Sequence, residues 1–273
     1  MDDELEQLKE DLSKKISLLK RQIHEEETEQ ARRLTSYTRN LSPIEDDFSD
    51  KEYSWNEMRK MCKLSKRITG IKFHNSTKNW INNRIYKYTT NVDTKSINFY
   101  LELTVDLKND PDFEIIDITC HFLNLQTCYL SEITPWVQSF SKSKNLSFLM
   151  SGISDYSYCN HLRQKVITSL KETNYADVYE HEEEGGGILL DIKSPKNPDH
   201  IYIKYLWLLN YVDRTCRVDH HFIITATEFG DEFVEENTSL IKKFCKLNLK
   251  KQDMIELWSQ LCIAIDSYEN ENV

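Results

Sequence analysis

From Ile97 to Leu107 hydrophobic and polar positions alternate without a break. Ile97, Phe99, Leu101, Leu103, Val105 and Leu107 fall on one side of an extended backbone, and Asn98, Tyr100, Glu102, Thr104 and Asp106 on the other. A period of two over that length predicts a strand with one buried face. Asn109-Asp110-Pro111-Asp112 then reads as a turn and Phe113 to Leu123 as the returning strand, an antiparallel hairpin. Shorter strands are expected at Ile71–Phe73 and Arg84–Thr89. Ser131, with Glu132 behind it, reads as a helix start, followed by amphipathic segments to about residue 172.

The same plan returns further on. Ala176–Tyr179, Gly187–Lys193, His200–Tyr211 and Cys216–Thr227 read as four strands. Glu182-Glu183-Glu184-Gly185-Gly186 and Ser194-Pro195-Lys196-Asn197-Pro198 separate them as turns. Helices are expected at 232–247 and 252–267. Strands followed by helices, twice, at a spacing of about 100 residues, indicate two copies of one α+β plan. Antiparallel meander sheets, each covered by helices on one face, fit it best.

Ahead of these modules the period is helical. Leu5, Leu8, Leu12, Ile16, Leu19 and Ile23 recur three or four residues apart, with Glu and Lys between them. Residues 1–39 are therefore expected to form a coiled-coil helix whose stripe needs a partner helix, since an isolated helix is marginal in water. Pro43 and Glu45-Asp46-Asp47 mark 40–50 as a linker. The two modules are then expected at 51–150 and 151–273. A helix at about 51–68 opens the first, with Trp55, Met58, Met61, Cys62 and Ile68 on one side and Gly70 as its stop.

Composition narrows the function classes. Of 273 residues, 39% are hydrophobic and 29% charged, enough apolar material for cores, with a formal net charge of −10. That sign argues against wholesale nucleic-acid binding and leaves only local contact with DNA in question. The start Met1-Asp2-Asp3-Glu4 lacks a basic and apolar leader, and no apolar stretch approaches membrane-spanning length, so neither secretion nor a membrane span is expected. Seven cysteines without CxxC spacing suit a reducing compartment, the cytosol or nucleus.

No local motif carries catalysis. His220-His221, on a strand, would point to opposite faces and share no ion. His181 opens no HExxH, since Gly185 stands where the second His belongs, and the glycines that follow are a turn behind three carboxylates. No GxSxG, P-loop or kinase signature is present, and no cofactor or metal is expected. Sequence spacing leaves a distant cysteine–histidine pair open, with nothing local pointing to one. One localised charge feature is Arg59, Lys63, Lys66 and Arg67 on a single helical face. It suits phosphate or an acidic partner, or is an ordinary solvated face. Lys242, Lys243, Lys246, Lys250 and Lys251 form a similar cluster.

Arg67-Ile68-Thr69-Gly70-Ile71, Tyr100-Leu101-Glu102-Leu103 and Tyr175-Ala176-Asp177-Val178-Tyr179 occur in that order and, with the layout of residues 50–267, resemble the centromere protein P family of inner-kinetochore subunits. The resemblance implies tandem RWD modules and a non-enzymatic structural subunit of the constitutive centromere-associated network. It implies a heterodimer with centromere protein O and assembly with centromere proteins Q, U and R, in the nucleus, at the centromere and kinetochore of the chromosome. Leu5, Leu8, Leu12, Leu19 and Ile23 would then bind partner helices. RWD modules are related to ubiquitin-conjugating enzymes but lack the active cysteine, and no His-Pro-Asn element precedes any cysteine here. The alternative is an RWD-type adaptor of the ubiquitin-conjugation pathway.

Overall fold

The structure, a computed structural model, describes residues 55–109, 112–183, 185–246 and 249–271. The coiled-coil arm and linker expected at 1–39 and 40–50 lie outside them. Helix α1 (Trp55–Thr69) leads into β1 (Lys72–Asn82), β2 (Ile85–Asp93), β3 (Asn98–Asn109) and β4 (Asp112–Phe122). Helices α2 (Thr127–Lys142) and α3 (Leu146–Glu172) follow. The second set is β5 (Ala176–Glu180), β6 (Ile188–Lys193), β7 (Ile201–Val212) and β8 (Arg217–Ala226), then α4 (Asp231–Glu236), α5 (Thr238–Phe244) and α6 (Lys251–Glu271). The class is α+β: two four-stranded antiparallel sheets, each in sequential order, with helices after each.

Three expectations about elements need correction. β1 and β2 run 11 and 9 residues, longer than the short strands expected. Asparagine, serine and lysine hide the period of β1, and cross-strand pairing holds it instead. Thr77 and Thr89 hydroxyls meet at 2.6 Å and those of Ser76 and Thr90 at 2.8 Å. Helix α2 starts at Thr127, so Ser131 sits inside it rather than at its cap. Cys128 and Tyr129 are already buried, and that packing outweighs the preference of serine for the cap. The helix expected at 232–247 breaks at Asn237 into α4 and α5.

Two hydrophobic clusters form the interior. One gathers β5–β8 against α4, α5, α6 and the C-terminal half of α3, around Tyr205, Trp207, Phe222, Phe244 and Trp258. The other sets Val92, Phe99, Leu101 and Ile118 of the first sheet against α2 and the start of α3. It also takes in Leu209 and Val218 from the second sheet. Helix α3 contributes Leu149, Ile153 and Tyr156 to one cluster and Leu162, Val166 and Leu170 to the other. The division expected between residues 150 and 151 thus falls inside a 27-residue helix. Gly152 does not break it, because its bare Cα is where the Trp136 ring packs; a Cβ there would lie 3.0 Å from that ring.

A buried ion pair sits where the clusters meet. Strand β6 begins at Ile188, opposite Trp207, so β7 continues past it with that edge open. Helix side chains complete the edge. Glu132 accepts the Leu209 N–H at 2.9 Å, and Arg163 donates to the Trp207 carbonyl at 3.0 Å. The two also pair through two 2.7 Å bonds, with Tyr156 and Asn160 closing the remaining valences. Burial works against the Arg163 charge, yet the bonds and charge of Glu132 hold its pKa above the ordinary value.

Candidate partner-binding surface

The first sheet is apolar on one face well beyond the area that helices cover. Pairing aligns Trp80 with Tyr86, Tyr86 with Val105, and Val105 with Ile115, one row across all four strands. The neighbouring row is Lys78, Tyr88, Leu103 and Ile118. Both rows share the face of Phe99 and Leu101, since side chains two residues apart on a strand point the same way. Near the α2 side that face is buried. Further out, Trp80 is 64% exposed and Phe113, paired with Leu107, is 62% exposed. The Lys78 ammonium lies 4.2 Å from the Tyr86 ring centroid, so even the cation in these rows leans on an aromatic face.

The opposite face of this sheet is built for water. Lys87 pairs with Glu102 at 2.8 Å and Arg84 with Asp106 at 3.4 Å. The contrast between the two faces makes the apolar rows a surface that seeks cover. On helix α1, Leu64 and Ile68 are exposed as well. Its end is fixed where Ser154 donates to the Thr69 carbonyl at 2.5 Å and Gly70 turns the chain with φ +72°.

The second sheet also carries an apolar row on its outer face: Tyr179, Leu189, Leu206 and Ile223, aligned across β5 to β8. Asp177, Asp191, Lys204 and Thr225 form the polar row beside it, with Lys193 bonded to Asp177 at 2.6 Å.

Leu5, Leu8, Leu12, Leu19 and Ile23 lie outside the described residues. Arg59 belongs to α1, and Lys63, Lys66 and Arg67 are exposed along it. Lys66 and Arg67 meet Lys95 and Asp155 around a cleft at the end of the helix, which Lys63 does not reach. Burial raises the Asp155 pKa, and the nearby charge of Arg217 opposes that rise. Lys242, Lys243 and Lys246 are exposed on and just beyond α5, and Lys250 and Lys251 at the start of α6.

His220 is half-buried and accepts from the Trp207 indole N–H, while His221 is exposed, as alternate positions on a strand require. Among the described residues no three His, Cys, Asp or Glu converge as metal ligands would. Burial pushes the Cys120 and Cys159 thiols up to about 12, and those of Cys128 and Cys262 up to about 11. A thiol so shifted stays protonated near neutrality and is a poor nucleophile. No helix among the described residues is long and apolar enough to cross a membrane.

The open face of the first sheet is the feature that the sequence reading missed. The turn falls at Asn83-Arg84, and a register shift between Trp80 and Asn82 sets Trp80 opposite Tyr86, which a two-residue turn alone would not have predicted. Searches for similar proteins find no family model that matches this chain and no curated relative.

Proposed function

We propose that this chain is a non-enzymatic structural subunit of the constitutive centromere-associated network. It pairs with centromere protein O through tandem RWD modules and supports kinetochore assembly and chromosome segregation. The observation that carries the reading is the repeated sheet-and-helix plan whose first copy leaves Trp80 and Phe113 exposed, with Tyr86 and Tyr88 half-buried on the same face. A similarly built partner would cover such a face. The reading continues the resemblance at Arg67–Ile71, Tyr100–Leu103 and Tyr175–Tyr179, which is also what names centromere proteins Q, U and R as further neighbours. The coiled-coil arm would contribute Leu5, Leu8, Leu12, Leu19 and Ile23.

Co-expression with centromere protein O, followed by size-exclusion chromatography with light scattering, tests it. A stable 1:1 complex is expected, weakened by Trp80→Ser with Phe113→Ser while the isolated chain keeps its fold. Separate elution of two monomers would remove the proposal. Acceleration of ubiquitin transfer by the chain in a reconstituted conjugation assay would favour the adaptor alternative.

A further inference from the structure

A groove of about 460 Å³ runs between α3 and α6, apart from the open sheet face. Its lining runs from Leu162 to Leu170 on α3, with Thr173 and Tyr175 just past that helix, and from Lys251 to Cys262 on α6. At 1.5 Å per residue the two helical walls are roughly 12 Å and 16 Å long, about two to three turns. Leu162, Val166 and Trp258 form a floor that is apolar and buried, and Ile255 stands 42% exposed beside it. The rim is cationic: Lys165 rises from one helix and Lys251 from the other, and no carboxylate lines the groove. The local field supports that sign. The His161 pKa is lowered, first by burial and then by the charges of Lys165, Lys95 and Lys251.

We infer that this groove docks an amphipathic α-helix of a partner protein, with large apolar side chains on one face and Asp or Glu along its edges. Two helical walls, apolar below and cationic above, suit the shape and charge of such a helix. An acyl chain with an acidic head shares the chemistry, but small amphiphiles favour sites that enclose most of their surface, and this groove is open along its length. The inference does not rest on the kinetochore reading, since it concerns only the chemistry of the occupant.

The test uses the full chain and a fluorescein-labelled synthetic helix of about 15 residues. That probe carries Leu at helical spacing and Glu on both flanks; a twin carries Lys in place of Glu. Fluorescence anisotropy should show saturable binding of the acidic probe and none of its basic twin. Ile255→Asp, at an exposed position, should weaken binding about tenfold or more. Lys165→Glu with Lys251→Glu should weaken it and flatten its salt dependence, with unchanged circular dichroism in every variant. Equal binding of both probes, or indifference to these substitutions, overturns the inference. So does competition by a fatty acid that binds more tightly than the probe and is lost in Ile255→Asp. Self-association of the chain at micromolar concentration that Ile255→Asp abolishes also overturns it, by assigning the groove to a second copy.

Discussion

Acidification acts on the second module through His220. The Trp207 indole N–H donates to His220 Nδ1 at 3.0 Å, which requires a bare nitrogen there. Protonating it would turn donor against donor inside a half-buried site. Burial first, and the Arg163 charge second, depress the pKa from 6.5 to about 4. The unfolded chain therefore takes up this proton near its ordinary pKa, and the folded chain only near 4. Between those values the unfolded state binds more protons, so stability is fully present above about pH 6.5 and is lost as the pH falls. Linkage over that interval removes roughly 2 kcal/mol by about pH 5 and roughly 3 kcal/mol by about pH 4. His220→Gln supplies a reference, because an amide oxygen can still accept from Trp207 and does not titrate. Urea unfolding followed by tryptophan fluorescence, at about pH 7.5 and about pH 5, should show the parent losing about 2 kcal/mol more than the variant. An equal loss in both would refute the assignment and leave His220 with an ordinary pKa.

Glu132→Leu strands the Arg163 charge and should cost about 3–5 kcal/mol in urea unfolding. Adding Arg163→Met should cost less than the two single substitutions summed, a coupling that a double-mutant cycle reads directly. Gly186 and Gly185 both have positive φ, but a Cβ on Gly186 would fall 2.0 Å from the Cys128 carbonyl while one on Gly185 meets nothing. Thermal melts should therefore show Gly186→Ala destabilising by about 1–3 kcal/mol more than Gly185→Ala. Charge reversal at Arg59, Lys63 and Lys66 should weaken binding of DNA or an acidic partner. An unchanged isotherm would leave them an ordinary solvated face.

Strands with one wet face were legible because their period survives any packing. The run from Ile97 to Leu107 became β3, and the four later strands fall within a residue or two of expectation. β1 was illegible as a full strand because it is almost wholly exposed, so burial never imposed alternation on it. Its length comes from hydroxyl pairs and ladder bonds to β2, which a one-dimensional pattern does not contain. Glu132 was read only as support for a helix start, because its partners lie 31 and 77 residues away, at Arg163 and Leu209. A carboxylate on the same stripe as Tyr129, Ile133 and Trp136 was the one hint, since helical residues three or four apart share a face.

The two modules are built from one plan but closed to different degrees, and α3 explains why they remain one unit. The second sheet has three helices of its own after it and borrows half of α3, so its aromatic core is complete. The first sheet has α2 and the other half of α3, which cover Phe99 and Leu101 but leave Trp80 and Phe113 in water. Strands of 11 or 12 residues extend past what one full helix and half of another can roof. Leu209 and Val218 reach back from the second sheet into the first core, and the Glu132–Arg163 pair closes the seam by completing the β7 edge. The first module thus draws support from the second on its inner side, and its distal face has none within the described residues. Natural sequences seldom leave aromatic rows open on a monomer without a use for them. The second half of the chain thus has a closed aromatic core, while the first leaves Trp80 and Phe113 exposed on its distal face.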